Sequence, residues 1–145
     1  MKHAPIVWMA VVYMLAAPAF AASCESLLSL SLSDAKVSVA QVVSAGAFTP
    51  PTGGRAAGYG SLPAFCRVAA TLTPSSDSDI KVEVWLPVTG WNGKFQAVGN
   101  GGWAGVISYA AMAEAVRAGY ATASTDTGHS TPGGSFALGH PEKLI

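Results

Sequence analysis

The chain is poor in charge. Of its 145 residues, eight are Lys or Arg and eight are Asp or Glu, so the formal net charge is zero. A nucleic-acid partner wants a basic face, and this balance supplies none. There is no heptad, no fixed-period repeat and no long run of one charge, so coiled coils, solenoids and charged tails are excluded. Cysteine is scarce too, with Cys24 and Cys66 the only two. Three histidines without a convincing ligand set make a metal site a weak reading. The full nucleophile elbow of serine hydrolases, G-x-S-x-G between a strand and a helix, is missing.

The long apolar run lies at the N-terminus. "MKHAPIVWMAVVYMLAAPAFAASC" has Lys2 near its start, an apolar stretch from Ile6 to Leu15, and small residues at Ala19 and Ala21. This is the pattern of a secretory signal peptide over residues 1–21, with cleavage after Ala21 or Ala22. The stretch falls short of the ~20 residues that a bilayer span takes. Export predicts an oxidising compartment and a Cys24–Cys66 disulfide. Acylation of Cys24 as a lipoprotein is the alternative, weakened because Ala21, Ala22 and Ser23 precede it without the usual Leu. The mature remainder, from residue 22, is large enough for a small domain or part of one.

Along that remainder the pattern is strand-rich at first. Val37–Val43 reads as a strand, and "TPPTGGRAAGYGSLP" as a loop. "FCRVAATLTP" gives a second strand with Cys66, Val68, Ala70 and Leu72 on one face. In "DIKVEVWLP", Ile80, Val82, Val84 and Leu86 alternate with Lys81, Glu83 and Trp85, the period of a half-exposed strand. The two pair as an antiparallel hairpin across "PSSDSD". Then "KFQAV" is a strand, "GNGGWAG" a glycine loop, "SYAAMAEAVRAGY" a helix capped by Gly119, and "YATASTD" a further strand. Strand, helix and strand form a βαβ unit, so its strands should be parallel. "PEKLI" starts a helix at the end of the sequence.

The fold class expected is therefore α/β, an antiparallel hairpin leading into a parallel unit, as α/β-hydrolase sheets begin. In such folds an oxyanion hole takes one backbone N–H from the loop between the third strand and the first helix. "NGGW" occupies that kind of position. Gly101 or Gly102 is the candidate donor, and the pattern does not choose between them. A tight turn that uses glycine for positive φ explains the same letters. Trp103 and His129 are candidate substrate-lining residues, and a purely structural role for His129 stands beside that. Ser135 in "GGSFA" lacks the strand–turn–helix context of a nucleophile. Ser124, Asp126 and His129 lie too close in sequence to converge as a triad.

"CESLLSL", "FCRVAATLTPSSDSDIKVEVWLP", "WNGKFQAVGNGGWAG", "GYATASTDTGH" and "FALGHPEKLI", in that order, resemble the beginning of the tannase and feruloyl esterase family. The resemblance implies a secreted serine esterase for phenolic or aromatic acid esters, on an α/β-hydrolase core with a large lid. It implies a C-S-x-G-G elbow, a disulfide from that elbow to a cysteine beside the catalytic His, and a calcium site in the lid. None of these is in this sequence, so the expectation is an N-terminal portion, residues 22–145, that lacks its nucleophile and is inactive alone. A disulfide near the N-terminus of family members matches Cys24 and Cys66 by position. The competing class is a small secreted binding module, stabilised by one disulfide and without catalysis.

Overall fold

A computed structural model describes residues 22–51, 58–130 and 132–140. The signal peptide expected over residues 1–21 and the helix start expected at "PEKLI" lie outside the described residues.

Five strands form one mixed sheet: β1 (Ala35–Val43), β2 (Phe65–Leu72), β3 (Ile80–Pro87), β4 (Phe95–Val98) and β5 (Ala121–Thr125). Their order across the sheet is β1-β2-β3-β5-β4. The hairpin pairs Phe65 with Pro87 and Leu72 with Ile80, antiparallel, as the alternation predicts. β1 adds antiparallel to β2, starts two residues earlier than the sequence suggests, and carries an irregularity between Val37 and Val39. β5 crosses over to lie between β3 and β4. It runs antiparallel to β3 and parallel to β4, so the expected βαβ unit is present.

The helix of that unit, α1, spans Tyr109–Arg117. Alanines favour it, and Gly119 ends it at φ +80°. The Gly119 N–H donates to Val116 O at 2.9 Å and the Tyr120 N–H to Ala115 O at 2.9 Å, the double bond of a Schellman cap. A second demand keeps Gly119 bare: a Cβ there would lie 2.8 Å from Gly90 O. Asn92 completes the clamp, its amide donating to Ala118 O and its backbone N–H to Gly119 O, both at 2.9 Å. "WNGKF" thus holds the end of the helix.

The packed face of the sheet is not the one rich in valine. α1 buries Met112, Ala113 and Val116 against Phe65, Trp85, Phe48 and Leu62. Glu83 and Trp85, the residues that alternate with the aliphatic set in β3, are 3% and 0% exposed. Ile80, Val82, Val84 and Leu86 point to the other face and are only partly buried. The physical reason is a carboxylate that the core fully satisfies. Glu83 accepts from Arg67 Nε at 2.9 Å and Trp85 Nε1 at 2.8 Å on one oxygen. Its other oxygen accepts from Arg67 Nη2 and from the Tyr109 hydroxyl at 2.9 Å. A buried charge is tolerable only when paired and hydrogen-bonded in this way. The hydrogen bond with Glu83 holds the Arg67 guanidinium above its ordinary range, and burial pushes the Tyr109 phenol up.

A short 3-10 helix, Glu25–Ser29, is tied to β2 by the Cys24–Cys66 disulfide, with Cα atoms 5.6 Å apart. Among the described residues no cysteine is free and no helix is long and apolar enough to cross a membrane.

Candidate functional site

The parallel strands β4 and β5 end side by side, with Val98 opposite Ser124. Loops leaving the carboxyl ends of parallel strands form the usual ligand crevice of open α/β sheets. Here those loops are residues 99–108 and residues 126–133.

The first loop contains a turn across Gly101–Ala104, closed by the Ala104 N–H donating to Gly101 O at 3.2 Å. Its two central residues, Gly102 and Trp103, have φ of +61° and +53°. Two consecutive left-handed residues are the mark of a type I′ turn. Trp103 is unusual there, since a side chain in this region costs roughly 1–2 kcal/mol. Other bonds fix the loop at its ends. The Asn100 amide donates to Thr125 O at 2.8 Å, and the Ser108 N–H donates to Ser124 Oγ at 3.0 Å. Among the described residues, no hydrogen bond engages the N–H groups of Gly101, Gly102 or Trp103.

The second loop grips the first. Trp103 O accepts from the Gly133 N–H at 2.9 Å and from His129 Nε2 at 3.1 Å. A carbonyl can only accept, so Nε2 carries the proton and His129 Nδ1 faces Thr127 Oγ1 at 3.2 Å. His129 is 8% exposed, and its imidazole stacks on Phe136, with centroids 4.1 Å apart and planes 12° from parallel. Trp103 meets the same Phe136 edge-on at 6.2 Å, and it is 53% exposed. The two sequence candidates for lining are therefore brought together, Trp103 at the surface and His129 beneath it.

The glycines separate by cause. Gly105, at φ +62°, would place a Cβ 2.5 Å from His129 O and 2.7 Å from its ring. A Cβ at Gly134 would lie 1.9 Å from the Trp103 ring. These two are bare because the loops interleave, a role that the sequence pattern does not reveal. Gly102 is bare for its φ and otherwise faces open space. Gly101 has open space and no positive φ, so the fold gives no reason for its lack of a side chain.

The polar cluster "STDTGHS" is spent on structure. Asp126 Oδ1 accepts from the N–H groups of Lys81 and Gly128, both at 2.9 Å. Both His129 nitrogens face Trp103 O and Thr127, so Ser124, Asp126 and His129 form no triad. Ser135 lies within the short 3-10 helix Gly134–Ala137 rather than on a strand-to-helix elbow. An open cleft of about 400 Å³ lies at the β1 edge, lined in part by Gln41, Ser44, Phe48 and Arg67. It is remote from the loops, and its Arg67 is committed to Glu83. Among the described residues no group of three His, Cys, Asp or Glu converges to hold a metal ion. Among the described residues no ligand set therefore fits the lid calcium that the resemblance implies.

Comparison with known proteins bears on the family and the fold. Residues 66–145 match the family model described as tannase and feruloyl esterase. An uncharacterized esterase of Xanthomonas campestris is 48% identical over 126 residues, which cover 86% of this chain and 21% of that protein. A probable feruloyl esterase B-1 of Aspergillus fumigatus is 40% identical over 98 residues, 67% of this chain and 18% of its own. The crystal structure of feruloyl esterase B from Aspergillus oryzae superposes with a TM-score of 0.71 at 32% identity, covering 83% of this chain and 24% of that one. The chain thus spans about a fifth to a quarter of the length of these relatives. On the match of its family model and the likeness of its sheet, the chain belongs to the tannase and feruloyl esterase family.

Proposed function

We propose that this chain is the N-terminal portion of an exported serine esterase of α/β-hydrolase type, acting on esters of phenolic or aromatic acids. It supplies half of the oxyanion hole. The observation that carries this is the Gly101–Ala104 turn at the end of β4, with backbone N–H groups that no described residue engages. In the reaction a serine hydroxyl from outside residues 1–145 adds to the ester carbonyl. The oxygen that gains negative charge accepts one N–H from this turn and one from the residue after the nucleophile. Collapse expels the alcohol, and water then hydrolyses the acyl-enzyme to free acid. Trp103, half exposed within the turn, offers an aromatic face to the acyl group. Export is supported by the signal-like N-terminus and by the disulfide.

Of the two candidates Gly101 is the better donor, because folding explains the bareness of Gly102 by its φ and leaves that of Gly101, like that of Gly99, unexplained. The test uses Gly101→Ala and Gly102→Ala in the full-length esterase. Loss of an oxyanion donor lowers kcat by ~10²–10³. Gly101→Ala should do so with an unchanged melting temperature. Gly102→Ala carries a strain of roughly 1–2 kcal/mol whatever its effect on rate. If both variants keep kcat per folded molecule within a few-fold, the assignment is wrong.

A further inference from the structure

We propose that His129 is the positioning residue of this oxyanion turn, acting through the carbonyl of Trp103. The inference rests on the oxyanion reading above. Its basis is a bond that joins two loops of different strands. His129 follows β5, Trp103 follows β4, and the Nε2–H donates across to Trp103 O at 3.1 Å. Trp103 sits at φ +53°, a conformation that a tryptophan leaves readily unless its surroundings hold it. Rotation of the Trp103–Ala104 peptide would open the turn and re-aim the N–H groups at Gly101 and Gly102.

The imidazole is built into this place from every side. His129 is 8% exposed, its ring stacks flat on Phe136, and Gly105 lacks a side chain where His129 passes. A packing role would need only the flat ring. The Nε2–H is the part that packing does not explain, and it is the part that meets the turn. The Gly133 N–H shares the same carbonyl, so losing His129 would loosen the turn without releasing it entirely.

Two variants separate ring from proton. His129→Phe keeps an aromatic face for Phe136 and removes the donor. His129→Gln gives up the stacking and can return an N–H near the Nε2 position. Both are measured in the full-length esterase with an aromatic methyl ester, beside Gly101→Ala and Gly102→Ala. For His129→Phe we expect kcat to fall about 10²-fold, the scale of an ångström misplacement, with KM little changed. His129→Gln should recover most of that loss even if it melts at a lower temperature. Rates are taken per folded molecule at a temperature where each variant is folded. If His129→Phe keeps kcat, or if His129→Gln is as slow as His129→Phe, the positioning role is overturned while the oxyanion reading stands on the glycine variants. If the glycine variants keep kcat, both fall together.

Discussion

At the scale of single residues, the glycine-rich loop shows how one string of letters serves three physical ends. Gly101, Gly102 and Gly105 stand within five positions of one another. Only Gly105 is held by close contact, only Gly102 and Gly105 by φ, and Gly101 by neither. Sequence reasoning singles out Gly101 and Gly102 within "GNGGWAG" and gives no account of Gly105, which the packing of His129 explains. No local signal could have found this, because the contact spans loops that are joined only by the sheet. A prediction follows for Gly105→Ala. Overpacking against a backbone oxygen adds to left-handed strain, together roughly 2–5 kcal/mol. Thermal unfolding of the full-length esterase should show a clear drop in melting temperature, whereas Gly101→Ala should show none. Equal melting temperatures for the two would remove the distinction drawn here.

Among the elements, legibility follows the range of the interaction that decides each one. The hairpin, the helix and its Gly119 cap are local, and the sequence states them correctly. The parallel sense of β4 and β5 follows from the intervening helix, so it too is legible. Which face of β3 is packed is decided elsewhere. Glu83 reads as a solvent-facing charge until Arg67, Trp85 and Tyr109 arrive from three positions in the chain. The Tyr109 bond gives this network a pH signature. Burial, first, and the Glu83 charge, second, raise the phenol in the folded state. A raised group favours folding below its unfolded value, ~10 for tyrosine, and that contribution is lost as pH climbs beyond it. Tyr109→Phe should therefore cost about 1 kcal/mol at neutral pH, the worth of its hydrogen bond. Above pH ~10 the gap between wild type and variant should close, because only the wild type has this phenol to ionise on unfolding. Chemical denaturation of both proteins from pH 7 to 11 measures the gap. A gap that stays constant would mean that the phenol does not sense its burial.

At the scale of the whole molecule, the sheet has two faces, and the described residues include one α-helix to cover them. α1 covers the face that holds Phe65 and Trp85. The opposite face carries Val68, Ala70, Val82 and Val84 in cross-strand register, all partly exposed, with Val42 47% exposed at its margin. The disulfide fastens the Glu25–Ser29 turn to β2, but that turn buries no residue of its own. Mixed and parallel sheets of α/β proteins are covered on both sides, which is why valine and isoleucine fill positions that an antiparallel sheet would leave polar. On the reading proposed above, this accounts for the strongest alternation in the sequence as a face that further polypeptide covers, in relatives several times as long as this chain. Residues 22–145 expressed alone should bind an apolar dye and self-associate, since exposed apolar faces of this kind drive association. Val82→Lys with Val84→Lys should suppress both effects in the isolated piece. The same pair placed in the full-length esterase should destabilise it by several kcal/mol, because each lysine would then be buried without a partner. Dye binding and sedimentation of the piece, with thermal unfolding of the full-length protein, complete the comparison. If the double variant leaves the full-length protein as stable as before, this face is open to solvent in the whole molecule and its valines need another explanation.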